Sequence, residues 1–91
     1  MRVLDWKLLK EIPPPTYQRW RYGLLVEDIE VDGFHCESYG VVITDERTGQ
    51  EERCRHVTVN APEAMELLEL LVRCDVTPTT LRDVVEDWLG R

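Results

Sequence analysis

No run of apolar residues in this chain reaches the eighteen or so that a membrane span needs, and the opening MRVLDWKLLKEI breaks its apolar positions with Asp5, Lys7 and Lys10. A secretory leader keeps an unbroken apolar stretch, so the expected setting is cytoplasmic, away from membranes. Basic residues are also scarce: 11 Lys and Arg stand against 18 Asp and Glu, for a net charge of -7. Phosphate backbones demand concentrated positive charge, so no nucleic acid is expected as partner and a protein or small molecule is favoured. Cysteines number three, Cys36, Cys54 and Cys74. An odd count without an export signal points to free thiols rather than a disulfide framework. The five glycines are scattered and build neither a phosphate-binding loop nor a dinucleotide fingerprint.

What remains is a 91-residue chain with an ordinary globular balance, 43% hydrophobic and 32% charged. A chain of that length makes one domain, here residues 1–91, and is too short for a TIM barrel or a dinucleotide fold. Its hydrophobic period changes from 2 to 3.6 near Asn60, so strands come first, within 2–59, and helices second. Trp20, Tyr22, Leu24 and Val26 alternate with Arg19, Arg21 and Gly23, the pattern of a strand with one apolar face, spanning residues 17–31. Asp32-Gly33 predicts a two-residue type I′ hairpin, because both central residues need positive φ. The register then sets Val26 against Tyr39, Leu24 against Val41 and Tyr22 against Ile43.

Arg47-Thr48-Gly49 predicts a second, three-residue hairpin loop in which Glu46 faces Gln50. That register puts Tyr39 opposite Val57, Glu37 opposite Val59, Cys54 opposite Val42 and Ser38 opposite Thr58, and turns Arg53 and Arg55 toward the core side of an edge strand. Residues 2–11 read as a further strand, with a short amphipathic helix as the alternative, ended by Pro13-Pro14-Pro15 as a stiff loop into Tyr17. Asn60 with Pro62 and Glu63 marks a helix start, and Thr77-Pro78 marks another, giving helices over about 61–74 and 78–89. The expected fold is α+β: an antiparallel sheet of three to four strands in meander order, with a C-terminal helical hairpin packed on the Trp20, Tyr22, Leu24 and Val26 face.

The strands TYQRWRYGLLVE, SYGVVITDE and EERCRHVTV, followed by LLELLVRCDVTPTTLRDVVEDWL, resemble a family of short uncharacterised proteins from clostridia and related Firmicutes, known as a domain of unknown function. The resemblance covers residues 17–89 and includes the Asp83 of Leu81-Arg82-Asp83. It implies a bacterial cytoplasmic protein and assigns no catalytic residue.

Chemistry-bearing groups are few. His35-Cys36 and Cys54-x-His56 supply a Cys2His2 inventory, yet the register separates the pairs by roughly 20 Å, so no metal is expected. Cys54 and His56 share a strand face about 7 Å apart, too far for a direct hydrogen bond between nucleophile and base. No cofactor is expected either. Arg19 facing Glu46 and Arg21 facing Thr44 read as local charge pairing, on the face opposite Arg53 and Arg55.

The sheet's second face is more telling, since Leu25, Ile29, Val31, Phe34, Cys36, Val42 and Cys54 gather where an antiparallel sheet is commonly wet. Either the N-terminal Leu4, Trp6 and Leu8 cover it, or another chain does. The expected function is a noncatalytic protein-binding or regulatory module, self-associating as a homodimer through those seven residues. Two alternatives stand beside it. One is an acidic inhibitor that presents Glu63, Glu66, Glu69, Asp83, Glu86 and Asp87 to a basic protein in imitation of nucleic acid; the other is a small thiol or metal enzyme using Cys54 and His56.

Overall fold

The computed structural model describes residues 1–14 and 19–91. Four strands and two helices follow in chain order: β1 (Arg2–Ile12), β2 (Trp20–Val31), β3 (Phe34–Asp45), β4 (Glu51–Thr58), α1 (Ala61–Arg73) and α2 (Leu81–Leu89). The strands form one antiparallel meander, ordered β1-β2-β3-β4, and the helices cover one face of it. The expected loop through Pro15 into Tyr17, and the start of the aromatic strand, lie outside the described residues.

The β2–β3 hairpin turns on Asp32 at φ 51° and Gly33 at φ 81°, the positive values a type I′ turn requires. Its register runs unbroken from Val31↔Phe34 to Trp20↔Asp45, with Val26↔Tyr39, Leu24↔Val41 and Tyr22↔Ile43 as expected. Tyr22, Leu24, Val26, Tyr39, Val41 and Ile43 therefore share the inner face, where they meet Leu67, Leu68 and Leu71 of α1 and Leu81, Val85 and Trp88 of α2. The Tyr22 hydroxyl donates to the Val76 carbonyl at 2.9 Å, fastening the sheet to the interhelical turn. Burial pushes that phenol up to about 12.

The β3–β4 hairpin differs from expectation. Asp45, not Glu46, faces Gln50: Asp45 accepts from the Gly49 amide at 2.7 Å and donates its own N–H to the Gln50 carbonyl at 2.7 Å. Gly49 does hold the left-handed turn position, φ 78°, but the loop is one residue longer. A one-residue slip turns every side chain over. Cys54 consequently pairs with Val41 and points at the helices, while Arg53 pairs with Val42 on the outer face, the reverse of what the shorter loop implied.

Before the strand ends the register slips again, this time the other way, so that Tyr39 pairs with Thr58 rather than Val57. Three β4 residues, Arg55, His56 and Val57, bulge opposite the single Gly40, and His56 takes φ 55°. A Cβ on Gly40 would stand 2.3 Å from the Cys54 carbonyl oxygen, so only glycine admits this bulge.

Asn60 caps α1 by accepting from the Glu63 amide at 3.0 Å. The Glu63 carboxylate accepts from the Thr58 hydroxyl at 3.2 Å, and that hydroxyl in turn accepts from the Asn60 amide at 3.1 Å. Thr58 thus relays what a capping box would do directly. At the other end Asp75, at φ 51°, and Val76 close a Schellman motif onto Val72 and Leu71. The second helix starts later than Pro78 suggested, because Thr77 and Thr80 bond each other's hydroxyls and amides in a turn of their own.

Candidate functional site

β1 is a strand, as expected, and it pairs beside β2 from Arg2↔Glu30 to Ile12↔Tyr22. Its alternation is not the simple one read from residues 2–11. Register shifts between Val3 and Asp5 and between Leu8 and Lys10 leave Leu4 and Leu9 as extra residues. Between these bulges the strand alternates regularly: Trp6 and Leu8 pair with Glu27 and Leu25 on the outer face, Asp5 and Lys7 with Asp28 and Val26 on the inner side. Every residue from Arg2 to Glu11 is exposed, including Val3, Leu4, Trp6, Leu8 and Leu9, and the strand's far side has no partner among the described residues.

The outer face has no helix over it, yet Leu25 is only 1% exposed, and Ile29 and Val42 are also buried. Long side chains from both edges close over them. Arg53 of β4 lies 5.2 Å from the ring centre of Trp6 on β1. Those strands are three spacings apart, about 14 Å in a flat sheet, so their contact requires the sheet to curl toward this face. Leu8 adds to the cover, with Cδ2 only 3.3 Å from where a Cβ on Gly23 would sit.

Within this apolar face one charge is buried. Glu27 is 3% exposed and is held by Arg55, whose Nε and Nη2 donate to the two carboxylate oxygens at 2.9 and 2.6 Å. The paired hydrogen bonds from Arg55 hold the Glu27 carboxyl below the usual carboxylate range, against the opposite pull of burial. His56, turned to the outer face at the bulge where its φ is 55°, places Nδ1 3.1 Å from the buried Ser38 hydroxyl and Nε2 3.9 Å from Glu27. The bulge opposite Gly40 thus delivers two successive residues, Arg55 and His56, to one carboxylate. Neither was singled out with Glu27 by sequence reasoning; the available signal was a carboxylate between Leu25 and Ile29 on an apolar row.

The seven residues expected at an interface fall into three groups. Leu25, Ile29 and Val42 are buried within the chain; Val31, Phe34 and Cys36 are exposed at the β2–β3 tip, Phe34 at 78%; and Cys54 is half-buried on the inner face. Cys54 and His56 consequently do not share a face, and Ser38 meets His56 rather than Thr58. His35 pairs with Glu30 at 3.3 Å, away from Cys54. Burial pushes the Cys54 thiol up. Under native conditions iodoacetamide is therefore expected to label Cys36 and Cys74 rapidly and Cys54 slowly, with intact-mass analysis over time as the check.

The remaining charges are paired locally. Arg19 reaches Asp45 at 3.2 Å and Arg21 bonds Glu46, with Glu11 at 3.8 Å. Arg21 and Arg53 share the outer face, a correction that follows from the longer β3–β4 loop. On the helices, Glu66, Glu69, Asp83, Glu86 and Asp87 are exposed, while Glu63 is half-buried beside Thr58. No helix among the described residues is long and apolar enough to cross a membrane.

Residues 14–91 match the model of a family of unknown function, DUF6514. The chain belongs to this family. The matched span holds β2, β3, β4 and both helices, with Gly40 and the Glu27–Arg55–His56 cluster; β1 precedes it. No curated protein and no solved structure matches the chain.

Proposed function

We propose that this DUF6514 member is a noncatalytic protein-binding module that self-associates, and that β1 is its contact element. The carrying observation is the open edge: ten consecutive exposed residues, Arg2 to Glu11, with no further strand beside them among the described residues and five exposed large apolar side chains. Such an edge is a template for strand addition. The opposite edge is guarded, since β4 carries Glu51, Arg53 and Arg55 and breaks at the His56 bulge. The exposed Val31 and Phe34 extend the apolar surface beyond β1. In the acidic-inhibitor alternative the helix carboxylates would form one ridge, but Arg73 and Arg82 are interspersed among them. The cytoplasmic setting belongs to the same proposal.

Native mass spectrometry of the full chain tests it. A dimer at micromolar concentration is the expected result; a species that stays monomeric at the highest soluble concentration overturns self-association.

A further inference from the structure

We infer that two copies pair antiparallel along β1 about a two-fold axis at Trp6, joining their sheets into one of eight strands. This rests on the self-association just proposed and specifies its geometry.

Val3-Leu4-Asp5-Trp6-Lys7-Leu8-Leu9 reads, from either end toward the middle, as two apolar residues, a charge and a tryptophan, with the two charges of opposite sign. Turned about Trp6, Asp5 of one copy meets Lys7 of the other twice, with the apolar Leu4 and Leu8 flanking these pairs. Opposite charges and apolar neighbours placed across a ladder each favour pairing.

The structure narrows the choice of register. A two-fold axis perpendicular to the sheet keeps each copy's outer face on the same side, so paired residues must come from the same face. Between the bulges Trp6 and Leu8 are outer and Asp5 and Lys7 inner, which restricts the axis to passing through a residue. An axis at Asp5 opposes two aspartates, and one at Lys7 opposes two lysines. One at Leu8 leaves both Asp5 and Lys7 without an oppositely charged partner. Of the four residues in the regular segment, Trp6 alone places opposite charges together.

The bulges at Leu4 and Leu9 bracket this segment, so they limit the added strand to it. Trp6 is half exposed, with Arg53 against its ring, and leaves surface for a second Trp6 beside it.

Charge reversal at Asp5 and Lys7 tests the register with the full chain. Both side chains are exposed; D5K trades a surface hydrogen bond from the Trp6 amide for relief of the Asp5–Asp28 contact, and K7D adds an exposed acid near Asp28 and Glu37, so each is expected to shift the melting temperature of the monomer only slightly. D5K alone and K7D alone should each raise the dimer Kd about tenfold, since two opposite-charge pairs become two like-charge pairs. Mixing the two variants should restore wild-type affinity as a heterodimer. The D5K copy then carries lysine at both positions and the K7D copy aspartate at both, so each of the two contacts again joins opposite charges. A wild-type dimer that neither reversal weakens, or weakened variants that mixing does not rescue, overturns the Trp6-centred register and leaves self-association standing. A monomeric wild type overturns both.

Discussion

Gly40→Ala is expected to destabilise the fold by about 3 kcal/mol, read as a lower urea midpoint with an unchanged slope. The added methyl would lie 2.3 Å from the Cys54 carbonyl oxygen and 3.0 Å from the Arg55 Cα. Both obstacles are backbone, so no side-chain rotation relieves the overlap; β4 must move. Moving it undoes the bulge that holds His56 at φ 55° and sets Arg55 against Glu27. The variant should therefore lose the Glu27 clamp along with the local ladder, and its effect should exceed that of alanine at an ordinary strand glycine, where about 1 kcal/mol or less is at stake.

Arg55→Ala is expected to lower the melting temperature by about 10 °C at neutral pH, because it leaves the Glu27 carboxylate buried without its hydrogen-bonding partner. The loss should depend on pH in a defined sense. In the wild type the folded-state pKa of Glu27 lies below its unfolded value of about 4.3. Such a group adds stability that is present above the unfolded value and is lost as pH falls through the folded one. Wild type and variant should therefore differ most at neutral pH and converge as the solution is acidified below about pH 4. Adding Glu27→Gln to the variant removes the stranded charge and should recover part of the loss at neutral pH. Thermal melts of the three proteins across pH decide the matter, and a difference that does not vary with pH would refute the assignment.

Neither the Gly40 bulge nor the Glu27 clamp is legible in the sequence, and the reason is local. The β2–β3 hairpin was legible because Asp32-Gly33 suits a turn with two positive φ values, and the alternation of Tyr22, Leu24 and Val26 then dictates the partners. The helical faces were legible for the same kind of reason, a periodicity that packing rewards along its whole length. At Glu46-Arg47-Thr48-Gly49 the left-handed glycine is compatible with a three- or a four-residue loop, so composition alone does not choose between them. The wrong choice reverses Cys54, Arg53 and everything inferred from their faces.

The His56 bulge is harder to see, since no glycine marks the residue with positive φ. Its trace lies across the ladder at Gly40, where a lone glycine inside a strand signals close backbone approach. The Glu27 cluster follows from that bulge and was hidden with it. In β1, the bulges at Leu4 and Leu9 interrupt an alternation that looks regular in the sequence.

The meander has a kinetic consequence. Each strand pairs with its neighbour in the chain, so a described hairpin such as β2–β3 forms by closing only a few residues, and the sheet can zip up through local contacts at small entropic cost. The long closures belong to the helices: the hydrogen bond from Tyr22 to Val76 joins residues 54 positions apart. Loop-closure entropy is thus concentrated in one event, the docking of α1 and α2 on a sheet whose order is already set. The core leucines of α1 are therefore expected to be ordered last, as the helices dock.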